Sequence, residues 1–362
     1  MLPPLMEAQP PTAVANSTLY TLNLMNMKYS FIVPVFNRPD EVDELLESLC
    51  SQTLKDFEVV IVEDGSQKPC KDVCDKYADI LDLHYYLKEN SGPGQSRNYG
   101  VERAQGEYVI ILDSDVVLPE GYLRNVNSNV ELVAFGGPDA AHPSFTPVQK
   151  AISYSMTSFF TTGGIRGGKA KLDKFYPRSF NMGIRRDVYQ QLGGFSKMRF
   201  GEDIDFSYRI VEAGYKPRLF PDAWVWHKRR TDFRKFFRQV YNSGIARINL
   251  EKRHPGTMKL VHLLPTVFTL GVIGCLLLSI LALLSPLTTH YSPLFLLPLL
   301  LYSLIIFIDS SLRNRSLWVG LLSIPAAFVQ LMGYGLGFIE SWWKRCILKQ
   351  DEFTAFEKNF YK

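Results

Sequence analysis

The chain has 362 residues, of which 46% are hydrophobic and 21% are charged, and this composition excludes a disordered or collagen-like protein. Forty Lys and Arg residues stand against 36 Asp and Glu residues, and a net charge of +4 does not indicate a nucleic-acid-binding protein. Five cysteines, an odd number, fit a reducing compartment. The length is that of about two domains.

Residues 1–28 are rich in proline and are predicted to be a loose leader, without the regions of a secretory signal. From Tyr29 onward short apolar segments alternate with helical ones, which predicts an α/β domain with a mostly parallel sheet. The predicted strands cover residues 29–35, 57–62, 81–87, 108–112, 131–135 and 224–227. The predicted helices cover about residues 38–51, 69–77, 92–104, 119–128, 186–192, 202–213 and 232–251. Residues 136–180 are expected to be irregular.

The C-terminal part contains long segments without charged residues, at 260–308 and 316–339, which indicate membrane spans. We predict an α/β domain at 29–230, a basic interfacial helix and linker at 231–258, membrane helices at 259–340 and a tail at 341–362. The three expected spans lie at about 263–284, 293–308 and 317–339.

The positive-inside rule places the α/β domain and the loop containing Arg313 and Arg315 in the cytoplasm. Three spans would then put the tail, with Lys344 and Arg345, outside, against the same rule. Pro325 and the glycines that follow it could instead break the last segment into a re-entrant hairpin. The sequence leaves both possibilities open.

Polar residues follow several of the predicted strands. Asn37, Glu63, Asp64 and the segment 113–115 all stand at strand ends. Ligands of such sheets bind outside the carboxyl ends of the strands. This placement is the first indication of a functional site.

Asp113 and Asp115 lie one residue apart just past a buried strand, where both carboxylates can face a divalent cation. Hard oxygen ligands suit Mg²⁺ or Mn²⁺, which would bridge phosphates and neutralise a diphosphate leaving group. His227 stands beside aromatic residues, where a lone histidine usually has a structural role, and it is also a candidate third ligand in its neutral form. An ordinary turn after a strand remains the alternative for this segment.

Two further segments suggest phosphate binding and acid–base chemistry. Gly92-Pro93-Gly94, followed by Arg97, can offer amide groups and a guanidinium to an anion, although a simple helix cap explains it equally. Glu202 and Asp203 stand at a predicted helix start, where acidic residues are expected for dipole reasons alone. The functional alternative is that one of them is a general base.

As an ordered set, these segments resemble the family-2 glycosyltransferases, which have the GT-A fold and use nucleotide-diphosphate sugars. The resemblance covers about residues 29–244. The segments that carry it are 34–38 (PVFNR), 63–66 (EDGS), 92–98 (GPGQSRN), 112–115 (LDSD), 193–195 (GGF) and 201–205 (GEDID) with Arg209.

The resemblance implies a role for each matching residue. The residues implied to bind the nucleotide are Pro34, Asn37, Asp64, Arg97 and Asp113. Asp115 would ligate Mn²⁺ or Mg²⁺, together with Asp113 and His227. Asp203 would be the catalytic base, and Glu202 would help to hold the acceptor. The family inverts the anomeric carbon in a single displacement.

Polymerising members of the family carry Gln-x-x-Arg-Trp after the last strand, whereas this chain has Arg-Gln-Val-Tyr-Asn at 238–242. We therefore predict transfer of one sugar per acceptor. The loop at 161–171, with Arg166 and Lys169, is a candidate lid over the diphosphate, although a solvated basic loop explains it equally. Arg178 and Asn181 are candidates to face the acceptor.

These features predict a multi-pass membrane glycosyltransferase on the cytoplasmic face, as in a bacterial inner membrane, that takes part in surface polysaccharide assembly. The expected donor is a nucleotide sugar, with UDP favoured, and the expected acceptor is a lipid-linked or other glycan. One alternative is a polyprenyl-phosphate glycosyltransferase, in which the acceptor phosphate needs no base. The other is an inactive transferase domain on a transporter or scaffold.

Overall fold

The computed structural model describes residues 29–129, 132–163, 175–284 and 289–356. The predicted leader at 1–28 lies outside these residues. Ten strands are described, in chain order: β1 Tyr29–Val35, β2 Phe57–Asp64, β3 Asp82–Lys88, β4 Tyr108–Leu112, β5 Val116–Val117, β6 Ala134–Gly136, β7 Asp139–Ala140, β8 Asn181–Arg185, β9 Arg218–Leu219 and β10 Val225–His227.

Twelve α-helices are described in the same ranges: α1 Pro39–Cys50, α2 Lys71–Tyr77, α3 Pro93–Val101, α4 Tyr122–Asn127, α5 Pro147–Thr157, α6 Phe159–Thr162, α7 Arg186–Gln191, α8 Glu202–Glu212, α9 Phe233–Arg253, α10 Leu264–Leu284, α11 Ser292–Asn314 and α12 Leu317–Trp342. Helices from the first half alternate with the strands, as the sequence pattern predicts.

The main sheet has seven strands in the order β3-β2-β1-β4-β8-β6-β9. Strands β1 to β4 run parallel, and β8 runs antiparallel to both of its neighbours. The second sheet has the order β5-β10-β7, so the predicted last strand belongs to it and not to the main sheet. The fold is therefore the mostly parallel α/β architecture expected from the sequence.

The first strand–helix unit shows how local sequence produces this layer structure. Strand β1 is apolar almost throughout and is buried on both faces, as a central parallel strand requires. Helix α1 begins with Pro39, whose fixed φ suits the first helical turn, and acidic side chains follow there. Its buried residues, Val42, Leu45, Leu46 and Leu49, recur every three or four positions and pack on the sheet.

The prediction that residues 136–180 are irregular is wrong at α5. Thr146 caps this helix by accepting from the Gln149 backbone amide, and the Gln149 side chain accepts from the Thr146 amide in return. This reciprocal cap, with Pro147 at the first turn, is a helix-start signal that was present in the sequence. The sequence pattern also missed β8, an antiparallel strand whose pairing depends on distant residues.

Three C-terminal helices are long and apolar enough to cross a membrane, by length and composition. Helices α10, α11 and α12 contain 21, 23 and 26 residues. At 1.5 Å per residue the shortest is about 31 Å long, the thickness of a hydrocarbon core. Helix α12 continues through Pro325 and its glycines without a break, so the re-entrant hairpin, one of the two possibilities that the sequence left open, is not formed there.

Helix α12 packs along the α/β domain over most of its length. Its first half contacts α5, where Val319 and Ala326 pack on Ala151. Its second half runs parallel to the basic helix α9 at very short backbone separation. A Cβ added at Gly244 of α9 would lie 2.1 Å from the Tyr334 carbonyl, and one at Gly337 would lie 2.1 Å from the Tyr241 carbonyl. Glycine is therefore required at this helix crossing.

Candidate active site

A cleft of about 1700 Å³ opens at the carboxyl ends of β1, β2 and β4. Its wall includes Pro34, Asp64, Asp113, Asp115, Arg97, Glu202, Asp203, Arg178 and His227, which were predicted from sequence and are brought together here. The cleft then extends to residues of α10, α11 and α12. A single cavity thus joins the strand ends to the apolar helices.

At one side of the cleft, Asp113, Asp115 and His227 place one possible ligand atom each within 4.8 Å of one another. The His227 Nε2 atom lies 3.3 Å from Asp115 Oδ1 and 4.0 Å from Asp113 Oδ2. Pairing of β10 with β5 brings His227 opposite Val116, beside the two aspartates, which no sequence spacing indicates. Phe180 stacks on the imidazole at 5.0 Å.

The electrostatic surroundings keep Asp115 ionised. Burial alone would raise the pKa of its carboxyl, but Arg38 and His227 outweigh burial and hold that pKa well below its usual range. The Arg38 guanidinium contacts Asp115 Oδ2. The other oxygen, Oδ1, is buried and has no hydrogen-bond partner among the described residues. Two carboxylates and an imidazole with a free buried oxygen fit a divalent cation such as Mn²⁺ or Mg²⁺.

Asp64 organises the glycine-rich turn. Its carboxylate accepts hydrogen bonds from the backbone amides of Ser91 and Gly92, both at 2.9 Å, and from the Lys88 ammonium at 2.6 Å. Gly92 has a φ of +91°, which favours glycine. One wall of the cleft is therefore held by a charged network that joins β2, β3 and the start of α3.

Arg97 links the two acidic groups of the cleft. Its Nη2 donates to Asp113 at 2.7 Å and its Nη1 donates to Glu202 at 2.8 Å. The side chain is almost fully buried and lies over the Phe195 ring, 5.2 Å from its centroid. The sequence suggested a guanidinium free to bind an anion, whereas the structure shows one already paired with two carboxylates.

Glu202 and Asp203 begin α8 after Gly201, whose φ of +83° turns the chain into the helix. Burial, strengthened by neighbouring Asp203 and opposed by Arg97, raises the pKa of Glu202 to about 7. Burial would also raise the pKa of Asp203, but Arg178 outweighs it and lowers that pKa. The Arg178 Nε donates to Asp203 Oδ2 at 2.6 Å. The pair therefore contains one firmly ionised and one readily protonated carboxyl group.

Four predicted site residues stand apart from this arrangement. Asn37 is not among the described residues that line the cleft, because its side chain binds Gln67 and the Lys68 amide. Asn181 is fully buried and binds the Tyr122 hydroxyl and the Ala223 carbonyl, so it does not face an acceptor. Arg166 and Lys169 lie outside the described residues.

Comparison with known proteins shows what this chain is similar to. Residues 30–193 match the family model described as glycosyl transferase family 2. The pre-mycofactocin glycosyltransferase of Mycobacterium tuberculosis is 27% identical over 247 residues, which cover 62% of this chain and 47% of that protein. Glycosyltransferase AglE of Haloferax volcanii is 25% identical over 240 residues, which cover 61% and 73%. The matched region thus spans about half the length of the mycobacterial relative.

A solved structure of a mannosyltransferase from Pyrobaculum calidifontis, in complex with GDP-Man and Mn²⁺, has the same fold. The TM-score is 0.55 at 15% identity, and the match covers 92% of this chain and 96% of that one. The α/β domain with its C-terminal helices is therefore GT-A-like, as the sequence resemblance implied.

Proposed function

We propose that this chain, whose residues 30–193 form a glycosyl transferase family 2 domain, is a metal-dependent inverting glycosyltransferase. It moves one sugar from a nucleotide-diphosphate sugar to a hydroxyl of a lipid-linked glycan in surface polysaccharide assembly. The observation that carries this proposal is the cleft in which Asp113, Asp115 and His227 face the acidic pair Glu202 and Asp203.

The donor would lie along the strand ends. Pro34 and Asp64 line the end of the cleft at β1 and β2, where a nucleobase and ribose fit. Asp113, Asp115 and His227 would hold the divalent cation, which neutralises the diphosphate as it leaves. Arg97 keeps Asp113 in place and joins it to the acceptor side.

The acceptor hydroxyl would approach from the opposite side of the sugar, at Asp203. A carboxylate that stays ionised can take the hydroxyl proton as the oxygen attacks the anomeric carbon. Arg178 occupies Asp203 Oδ2, so this pair has to separate when the acceptor enters. Once Arg178 has moved, its guanidinium is free to contact the acceptor or the departing phosphates.

The ion pair between Arg178 and Asp203 also supports a second candidate function. Because Arg178 lowers the pKa of Asp203, the carboxylate is a weak base in this state. A phosphate acceptor is already ionised and needs no base, so a polyprenyl-phosphate glycosyltransferase is the alternative. Replacement of Asp203 separates these two reactions.

The activity can be tested with the purified full chain, a panel of UDP- and GDP-sugars and Mn²⁺. We expect nucleotide release with one donor, and mass spectrometry of the membrane lipids should show the mass of one added sugar. If no donor releases nucleotide and nucleotide with Mn²⁺ gives no thermal stabilisation, the inactive transporter or scaffold domain is the better reading.

We also propose that α10 and α11 cross the membrane as a hairpin while α12 lies along its cytoplasmic face. Three observations support this arrangement. Helix α12 contacts α5 and the strongly basic α9, which do not belong in hydrocarbon. The end of α11 packs against α12 at Gly320, and the start of α10 packs against it at Gly335. The tail also returns to α9, where Ala355 and Asn242 exchange backbone and side-chain hydrogen bonds.

This arrangement predicts that Cys346, an exposed residue just after α12, lies on the catalytic side. In a chain with Cys346 as its sole cysteine, a membrane-impermeant maleimide should label inverted vesicles and not intact cells. Two spans return the chain to the cytoplasm, where Lys344 and Arg345 obey the positive-inside rule.

A matched control places the sole cysteine at His290, in the turn between α10 and α11, where labelling from outside is expected. Labelling of Cys346 from outside would mean three spans and would refute the interfacial position of α12.

The raised pKa of Glu202 predicts an acid limb in the pH profile of transfer. Below pH 7 the carboxyl is protonated and neutral, and above pH 7 it is a carboxylate that can hold the acceptor. We expect kcat/KM to rise up to about tenfold per pH unit below this value and then to level off. Glu202→Gln should flatten the limb.

The raised pKa of Glu202 also makes the free energy of unfolding depend on pH. Because this pKa is higher in the folded chain than in the unfolded chain, protonated Glu202 stabilises the fold at low pH, and this contribution is lost as the pH rises toward 7. Glu202→Gln should therefore weaken the pH dependence of the unfolding temperature between about pH 5 and 7. An unchanged limb in this variant would assign the kinetic titration to another group.

A further inference from the structure

Arg247 is a buried cation at the foot of the cleft. Its side chain is 6% exposed and lines the cleft from α9. Its Nη1 donates to the Tyr208 hydroxyl at 3.0 Å and its Nη2 donates to the Thr257 hydroxyl at 2.8 Å. Its Nε is buried and has no hydrogen-bond partner among the described residues.

The neighbours of Arg247 leave its charge without a carboxylate ligand. Arg97 and Arg178, two other arginines that line the cleft, each form ion pairs with acidic side chains. Glu251 lies one helical turn from Arg247, but its carboxylate accepts from the Gly256 and Met258 amides instead. The guanidinium also lies 5.9 Å from the centroid of the Tyr208 ring, and Glu251 acts on its charge without an ion pair. A buried guanidinium that is hydrogen-bonded only to two hydroxyl groups is costly unless an anion completes the site.

The position of Arg247 restricts what that anion can belong to. Helix α9 packs on the turn before the acidic pair, since a Cβ on Gly201 would lie 3.2 Å from Ala246, the neighbour of Arg247. The cleft is also lined by Lys259 and by apolar side chains of the C-terminal helices, Leu264, Phe268 and Leu331. One cleft therefore contains the acidic pair, a cationic group and an apolar wall.

We propose that Arg247 binds the phosphate that links the acceptor sugar to its lipid. This inference rests on the proposed function and gives its acceptor a definite chemistry. The hydrocarbon chain lies against the apolar wall, the phosphate binds Arg247 with support from Lys259, and the sugar reaches Asp203. Tyr208, which holds Arg247, lies five residues after Asp203, about 7.5 Å along the axis of α8. Arg247 and Asp203 both line this cleft, so one acceptor can contact both.

The test uses farnesyl phosphate as a probe on the purified full chain, with binding read from the shift in unfolding temperature. Arg247→Gln should weaken binding about 10- to 100-fold, the effect of losing a charge-assisted hydrogen-bonding group. Arg234→Gln is the matched control, because Arg234 is exposed on the same helix and does not line the cleft. It should bind as the unchanged chain does.

Two further probes distinguish the source of the phosphate. Farnesol lacks the charge and inorganic phosphate lacks the chain, so both should stabilise the protein much less than farnesyl phosphate. Equal stabilisation by inorganic phosphate would overturn the lipid assignment. A loss of UDP or GDP binding in Arg247→Gln, with farnesyl phosphate binding intact, would assign Arg247 to the donor and overturn the proposal.

If Arg247→Gln fails to fold, Arg247→Lys carries the test, because it keeps the charge with fewer donors. It should show a smaller loss in the same direction, and unchanged farnesyl phosphate binding in a folded Arg247→Lys would count against the site. Binding is read without turnover, so the two ideas fail separately. A chain that binds the probe through Arg247 but transfers no sugar refutes only the proposed function. A chain that transfers sugar while Arg247→Gln binds normally refutes only this site.

Discussion

Asp203→Asn is expected to lower kcat by about 10²- to 10⁴-fold, the usual contribution of a general base. The amide has nearly the same shape as the carboxylate but cannot take a proton from the attacking hydroxyl. The ion pair with Arg178 outweighs burial and lowers the pKa of Asp203, so its carboxyl group is held ionised beside Glu202 in the cleft. The measurement is the steady-state rate of transfer with the donor identified in the screen.

Asp72→Asn on the exposed face of α2 is the control for loss of one acidic group and should transfer sugar normally. Asp203→Asn should still gain thermal stability from nucleotide with Mn²⁺, because the donor side is unchanged. A near-normal rate in Asp203→Asn would show that our base is wrong and would favour the phosphate-acceptor reaction.

Asp115→Asn is expected to lower transfer by about a thousandfold, because a bound cation supplies several kcal/mol of charge stabilisation to the leaving diphosphate. Asp115 is the least exposed member of the cluster with Asp113 and His227, and one of its oxygens accepts no hydrogen bond from the described residues. The variant should also lose the Mn²⁺-dependent part of the thermal stabilisation by nucleotide. Chelation of metal from the unchanged chain should give the same loss, restored by Mn²⁺ or Mg²⁺.

Asp115→Asn leaves the Arg38 guanidinium without its carboxylate partner, so its unfolding temperature has to be compared first. His227→Gln provides a second route to the same question, since it removes a ligand without removing the Arg38 pair. Full activity after chelation, or normal Mn²⁺ response in both variants, would exclude metal dependence.

The site shows clearly where prediction from sequence stops. Strand ends, helix starts and the acidic residues at them are local features, and they were sufficient to anticipate that Asp64, Asp115 and Asp203 share one cleft. The ion-pair and hydrogen-bond partners of those residues could not be predicted from local sequence. Arg97 pairs with Glu202 across 105 positions of sequence, and no spacing rule connects them. The side chains of Asn37 and Asn181 are likewise hydrogen-bonded to distant residues, which no local pattern indicates.

The sequence by itself determined the α/β alternation, the acidic strand ends and the three apolar helices, because each is set by neighbouring residues and by burial period. Only the tertiary structure decided that His227 joins the two aspartates, that Arg178 covers Asp203 and that α12 lies against α5 and α9. It also left Arg247 buried without a carboxylate partner among the described residues. These outcomes depend on contacts between residues far apart in the chain, whose energies no local pattern contains.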